Sequence, residues 1–171
     1  VNEMTPDPYY DPRCDLFLGI DKGFRNPNVT LWFQPDLRNE RVIVLFAHYQ
    51  RLRTPDENAK IAYQIHQTRG YGQLTGGWGD PSAPDMLRAY SLAFGVTISG
   101  PRQTVAWGHE IVKQQLHDSK VSRGARGLVF SRNLLGEFLT EMREYEKHEP
   151  GKGAHHGPDA IRYYFAGWQG G

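Results

Sequence analysis

The chain has 171 residues and a formal net charge of +1, with 39% hydrophobic and 23% charged residues. This excludes a disordered polypeptide and suffices for one domain with a sizeable core. No apolar stretch is long enough for a membrane-spanning helix, and a sole cysteine, Cys14, excludes a disulfide framework and a cysteine zinc cluster. Cys14 is expected to pack near the first strand in a reducing compartment.

The opening VNEMTPDPYYDPRCD is rich in proline and acids and has no basic-then-apolar leader. It reads as a linker remnant over residues 1–13, cut from a longer chain, ahead of a single domain over 14–171. Leu16 to Ile20 form a strand-like run that ends on Asp21, and a second run, Val29 to Phe33, follows at hairpin spacing after Gly23, Asn26 and Pro27. RVIVLFAHYQ (41–50) is apolar on both alternating faces, with Val42, Val44 and Phe46 on one and Ile43, Leu45 and Ala47 on the other. Such a strand belongs inside a sheet covered on both sides.

Thr54, Pro55 and Glu57 spell an N-cap, a first-turn proline and a capping box, so a helix is predicted from there to Gly70 with Ile61 and Ile65 turned inward. A strand is predicted over 73–78. A second box, Ser82 with Asp85, precedes a helix carrying Met86, Leu87, Tyr90 and Phe94. Further expectations are a strand over 95–99, a helix over 104–119, an exposed basic loop or hairpin around 119–127 and a strand at GLVFS. Helices follow through Leu134 to Met142 and from Pro158, the last burying Ile161, Tyr164, Phe165 and Trp168. Strands first and alternating helices and strands afterwards predict an α/β layer fold.

Charge is segregated. Residues 101–132 hold six cations against two acids, and residues 137–149 hold five acids against two cations. A basic stretch of this kind follows a phosphate backbone or is simply a solvated face.

Three aspartates stand at comparable element ends: Asp21 after the first strand, Asp80 after the 73–78 strand, and Asp159 in the first turn of the last helix. Each has an ordinary structural reading, as a turn former or as a partner of the helix dipole. If the strands are neighbours, however, the three converge on one sheet edge, where α/β sheets carry their sites. Crowded carboxylates there call for a cation between them, and hard oxygen ligands suit Mg2+ or Mn2+. Two such ions would activate water and stabilise a leaving oxygen of a phosphodiester. His156, one turn before Asp159, would ligate, orient water or carry a proton, or else is an exposed loop residue. Asp85 is either a further acid behind the metals or a helix cap. His109 and His117 read as ordinary surface or core residues.

The order LGIDKGFRNP, GWGDPSAPDM and HHGPDAIRYYF, with the TPDENAK helix between, resembles the C-terminal nuclease domain of tailed-phage terminase large subunits, across about Cys14 to Trp168. The resemblance implies an RNase H-like fold, with a central mixed sheet flanked by helices. It also implies metal-dependent endonuclease cleavage of concatemeric viral double-stranded DNA during packaging, with Asp21, Asp80 and Asp159 as metal ligands and His156 beside them. Implied partners are the packaging ATPase domain of the same chain, the portal and the small terminase subunit, in the host cell cytoplasm. The glycine-rich GGWGD departs from the β-branched residues usual at that strand, and Ala154 and His155 stand where members often carry an acid. No Gly-x-x-x-x-Gly-Lys-Ser/Thr occurs, so the ATPase is not in this sequence.

Lys22, Arg25, Lys120, Arg123, Arg126 and Lys152 are the expected phosphate contacts, which would position DNA without reading sequence. Two other functions remain open from the residues alone. One is another RNase H-like nuclease, a resolvase or hybrid hydrolase, though these usually include a Glu among their acids. The other is a noncatalytic DNA-binding or docking module whose aspartates are structural caps.

Overall fold

A computed structural model describes residues 7–132, 134–147 and 155–170. The two apolar runs at the start form a hairpin: β1 (Phe17–Asp21) pairs antiparallel with β2 (Asn28–Asp36), with Asp21 opposite Val29. β3 (Arg41–Gln50) pairs antiparallel with β2. β4 (Gly76–Gly79) lies parallel to β1, β5 (Ile98–Ser99) parallel to β4, and β6 (Gly127–Phe130) parallel to β3. The order among the described residues is β5-β4-β1-β2-β3-β6, a mixed sheet of six strands in which β2 runs against the others. The carboxyl ends of the other five strands therefore share one edge.

Period-two alternation sorts the strand side chains onto two cores. Leu18, Ile20, Trp32 and Leu45 pack with α1 (Pro55–Thr68) and α2 (Pro84–Phe94) through Ala59, Ala62, Met86 and Tyr90. On the other face, Phe17, Leu31, Phe33 and Val44 meet α3 (Val105–Val121), α4 (Gly136–Lys147) and α5 (His156–Gly170) through Val112, Phe138, Tyr164 and Phe165. This is the predicted α/β layer fold, with a mixed sheet flanked by helices on both faces. β3 is covered on both sides as expected, but its faces are not a simple alternation. Trp32 pairs with Phe46 while Phe33 pairs with Val44, so Leu45 is an extra residue, a bulge that puts Phe46 on the Leu45 side and Ala47 on the Val44 side.

The capping box of α1 is present: the Glu57 N–H donates to Thr54 Oγ1 at 3.2 Å, and the Thr54 N–H donates to Glu57 Oε1 at 3.1 Å. Its buried stripe is Asn58, Ala59, Ala62 and His66, with Ile61 and Ile65 half-buried beside it, because small residues let α1 lie close to α2. The Ser82 and Asp85 box is absent. α2 starts at Pro84 with Ala83 as its uncapped entry, and Ser82 turns back to Asp80 instead. The strand predicted over 73–78 is found as Gly76–Gly79, and the one over 95–99 shortens to Ile98–Ser99, since Gly95 is taken up as the left-handed cap of α2, at φ 68°. α3 runs on through Lys120 and Val121, which absorbs the start of the predicted basic loop. Cys14 is exposed and not part of either core.

Candidate metal centre

Asp21 ends β1 on the same face as Phe17 and Gly19, the face covered by α5. Gly19 is what lets the helix come close: a Cβ there would run into the Ala160 carbonyl oxygen and lie 2.8 Å from the Phe33 ring. Bare backbone at that position seats the first turn of α5 on the end of β1, and His156 and Asp159 come with it. His156 Nδ1 lies 3.0 Å from Asp21 Oδ2. Ile20 pairs with Gly79 across the parallel β1–β4 ladder, so the next residues, Asp21 and Asp80, leave the sheet side by side. The three aspartates thus share one edge, as the sequence predicts.

Their side chains have separate partners. Asp80 Oδ1 accepts from the Ser82 N–H at 2.9 Å and from Ser82 Oγ at 2.7 Å. Asp159 Oδ1 lies 3.5 Å from Arg162 Nε. The Arg162 side chain is buried between α5 and Gly108 of α3, with its guanidinium 4.5 Å from the Tyr163 ring centre. Asp21 is buried, and that burial raises its carboxyl from 3.8 to about 6. The His156 hydrogen bond opposes this shift, while the charges of Asp159 and Asp80 add to it. Asp159 is also raised, by burial that outweighs its pairing with Arg162. The bond to Asp21 raises His156 despite partial burial, so imidazolium is favoured next to the carboxylate.

Among the described residues, no three His, Cys, Asp or Glu side chains are drawn together into a ready-made metal cage. In kind, the donors do fit a hard divalent cation: three carboxylates and an imidazole, without thiolate, around a buried acid whose neighbours add negative charge. Binding one would require Asp80 to turn from Ser82 and Asp159 from Arg162.

Glu141 on α4 is a site residue that sequence reasoning missed. The His156 N–H donates to its Oε2 at 2.6 Å, the Gly157 N–H to its Oε1 at 3.4 Å, and the Tyr49 hydroxyl also donates to Oε1. It accepts from the unpaired N–H groups that open α5 and complements the helix dipole there. Its spacing within an acidic helix carries no hint of this, because its partners lie on other elements, β3 and the start of α5.

The expected phosphate contacts separate. Lys22 and Arg25 are exposed on the β1–β2 turn, at the carboxylate edge. Lys120, Arg123 and Arg126 precede β6, whose Gly127 pairs with Arg41 at the start of β3, so this loop lies at the opposite edge. Lys152 lies outside the described residues. Arg53, not singled out from the sequence, follows β3 at the site edge and is exposed. Asp85 is exposed in the first turn of α2, facing a cleft beside the site. His109 is buried on α3, its Nδ1 2.9 Å from the Tyr145 hydroxyl, and serves the packing of α3 on α4.

No protein-family model and no curated protein sequence matches the chain. Solved structures do. The nuclease domain of the P22 large terminase is 14% identical with a TM-score of 0.70, the match covering 98% of this chain and 88% of that one. The bacteriophage SPP1 large terminase nuclease domain, solved with bound Mn, is 16% identical with a TM-score of 0.59, covering 95% and 94%. A large terminase from a thermophilic bacteriophage, in complex with ADP, is 17% identical with a TM-score of 0.70; the match covers 96% of this chain but 42% of that protein. The chain therefore spans about two fifths of the whole large terminase it matches. A mixed sheet with helices on both faces defines the class as an α/β layer fold. Within that class, the fold is that of large terminase nuclease domains.

Proposed function

We propose that this chain is the nuclease part, C-terminal in a longer protein, of a large terminase. Its activity is divalent-metal-dependent endonucleolytic hydrolysis of concatemeric viral double-stranded DNA during packaging. The observation that carries this reading is the buried Asp21, held by His156 at the sheet edge where Asp80 and Asp159 also emerge. The manganese bound by the SPP1 nuclease domain supports it.

Asp21, Asp80 and Asp159 would hold Mg2+ or Mn2+, two ions in the full reaction. When bound, such ions lower the pKa of water and offset charge on the leaving oxygen. The remaining steps belong to the protein. Asp21 fixes the ring of His156 through Nδ1, leaving Nε2 as the atom that exchanges a proton with solvent or substrate. Glu141, accepting from the His156 N–H, keeps the start of α5 in place beside Asp21. Arg162, 3.5 Å from Asp159 Oδ1, offsets the charge of Asp159 until a cation takes its place. Lys22 and Arg25 contact the phosphates of a duplex laid across that edge, and such contacts position DNA without reading its sequence.

The ATPase domain of the same protein, the portal and the small terminase subunit are the proposed partners, in the host cell cytoplasm. Among the described residues no helix is long and apolar enough to cross a membrane. Supercoiled plasmid incubated with Mn2+ tests the activity: the chain should yield nicked and then linear DNA, and Asp21→Asn should lower the rate by at least about a hundredfold, the scale of losing a principal electrostatic contact in catalysis. Equal nicking by the variant refutes the assignment.

A further inference from the structure

Next to the carboxylate edge lies a cleft of about 610 Å³, between the β1–β2 turn, the start of α1 and the start of α2. This is within the usual range for a small-ligand site, roughly 300–1,000 Å³. It adjoins the candidate metal centre through residues next to two of the acids. Lys22 follows Asp21 directly, and Ser82, which binds Asp80, lines the cleft.

Its lining is unusual in three respects. Phe24 is 55% exposed at the tip of the turn, although the turn itself is anchored by the Leu52 N–H donating to the Phe24 carbonyl at 2.8 Å. Lys22, Arg25 and Arg53 surround it, and none of them takes part in an ion pair among the described residues; Asp85 is the sole acid in the lining. Asn58, 3% exposed, also lines the cleft, and its Oδ1 is buried without a hydrogen-bond partner. A buried acceptor left unsatisfied is costly unless something supplies a donor.

An aromatic face, three cations and an unsatisfied acceptor together match the chemistry of a nucleotide out of its stack: π-surface for the base, positive charge for the phosphates, and an acceptor for an exocyclic amino group. A purely apolar partner would leave the cations without a role. We infer that this cleft seats a single unstacked nucleotide of the DNA substrate, adjacent to the scissile phosphate, with Phe24 stacked on the base, Asn58 Oδ1 accepting from it, and Lys22, Arg25 and Arg53 on the flanking phosphates. This rests on the nuclease reading of the neighbouring acids and specifies its substrate: DNA with a locally unpaired base is bound better than continuous duplex.

The test is binding without divalent ions, in EDTA, which makes it independent of cleavage. A fluorescent duplex carrying a one-nucleotide flap or bulge is compared with the fully paired duplex by anisotropy, for the wild type, Phe24→Ala, Phe24→Trp and Asn58→Asp. The wild type should prefer the unpaired substrate by about tenfold, the scale of one base–aromatic stack. Phe24→Ala should erase the preference, Phe24→Trp should keep it, and Asn58→Asp, which places a negative charge where the nucleotide sits, should reduce it. Exposure of Phe24 makes its variants safe for folding, and melting temperatures verify this. Equal affinity of the wild type for both substrates overturns the inference, as does a preference that survives Phe24→Ala; either would leave the turn as a contact for another protein surface. Plasmid nicking with Mn2+ reports separately on the parent reading. Nicking without the preference removes the nucleotide seat alone, and the preference without nicking removes the nuclease assignment alone.

Discussion

Replacing Asp21 by asparagine should stabilise the metal-free protein at neutral pH. Burial and the charges of Asp159 and Asp80 raise the Asp21 carboxyl from 3.8 to about 6. At about 1.4 kcal/mol per pKa unit, keeping Asp21 ionised costs on the order of 3 kcal/mol of folding free energy. The sign follows from proton counting. Below 3.8 the carboxyl is protonated in both folded and unfolded chains and costs nothing. Between 3.8 and about 6 the unfolded chain loses its proton first, so the folded state binds more protons and stability falls as pH rises. Above that window the loss is complete.

His156 acts in the same direction. Its raised pKa gives a stabilisation that is present at low pH and lost as pH rises through the folded value. Asp21→Asn removes the first dependence and the largest cause of the second. Urea unfolding in EDTA, from about pH 4 to about pH 8, should show the variant gaining on the wild type by about 2–3 kcal/mol across the range. A stability difference that does not change with pH would refute the burial and crowding assigned to Asp21.

Gly19→Ala should destabilise by about 1–3 kcal/mol and slow nicking, because the new methyl must push the Ala160 carbonyl and the start of α5 away from β1; urea midpoints and plasmid assays read the two effects. Glu141→Gln should cost about 1–2 kcal/mol and lower the nicking rate, since a neutral amide caps α5 less well than a carboxylate. Neutralising Lys22 and Arg25 together should reduce the slope of log affinity for duplex DNA against log salt by about 2. Neutralising Lys120, Arg123 and Arg126 should leave it unchanged, because that loop lies at the other edge of the sheet; the opposite pattern would put DNA on the opposite edge.

The candidate site is legible in the sequence wherever a residue's role depends on its immediate neighbours. Asp21 closes an apolar run, Thr54 and Glu57 make a local box, and the Gly-Ile-Asp order carries both the close helix approach at Gly19 and the acid that it serves. Roles set by distant partners are not legible. The bulge at Leu45 depends on the register with β2, so alternation alone misassigns Phe46. The Ser82 box has every local sign of a cap, yet Asp80 competes for the same hydroxyl and wins, which leaves α2 without a side-chain cap. The basic loop looks like a DNA contact because charge is visible in a sequence, whereas the direction of β6 is not. Glu141 and Arg53 reach the site edge only through folding, from α4 and from the end of β3.

Anomalous diffraction from a manganese-soaked crystal is the direct test of the central claim. A peak in contact with Asp21 and with Asp159 or Asp80, their side chains swung away from Arg162 and Ser82, is the predicted result. Manganese bound elsewhere, or absent from this edge at concentrations that support plasmid nicking, would contradict it.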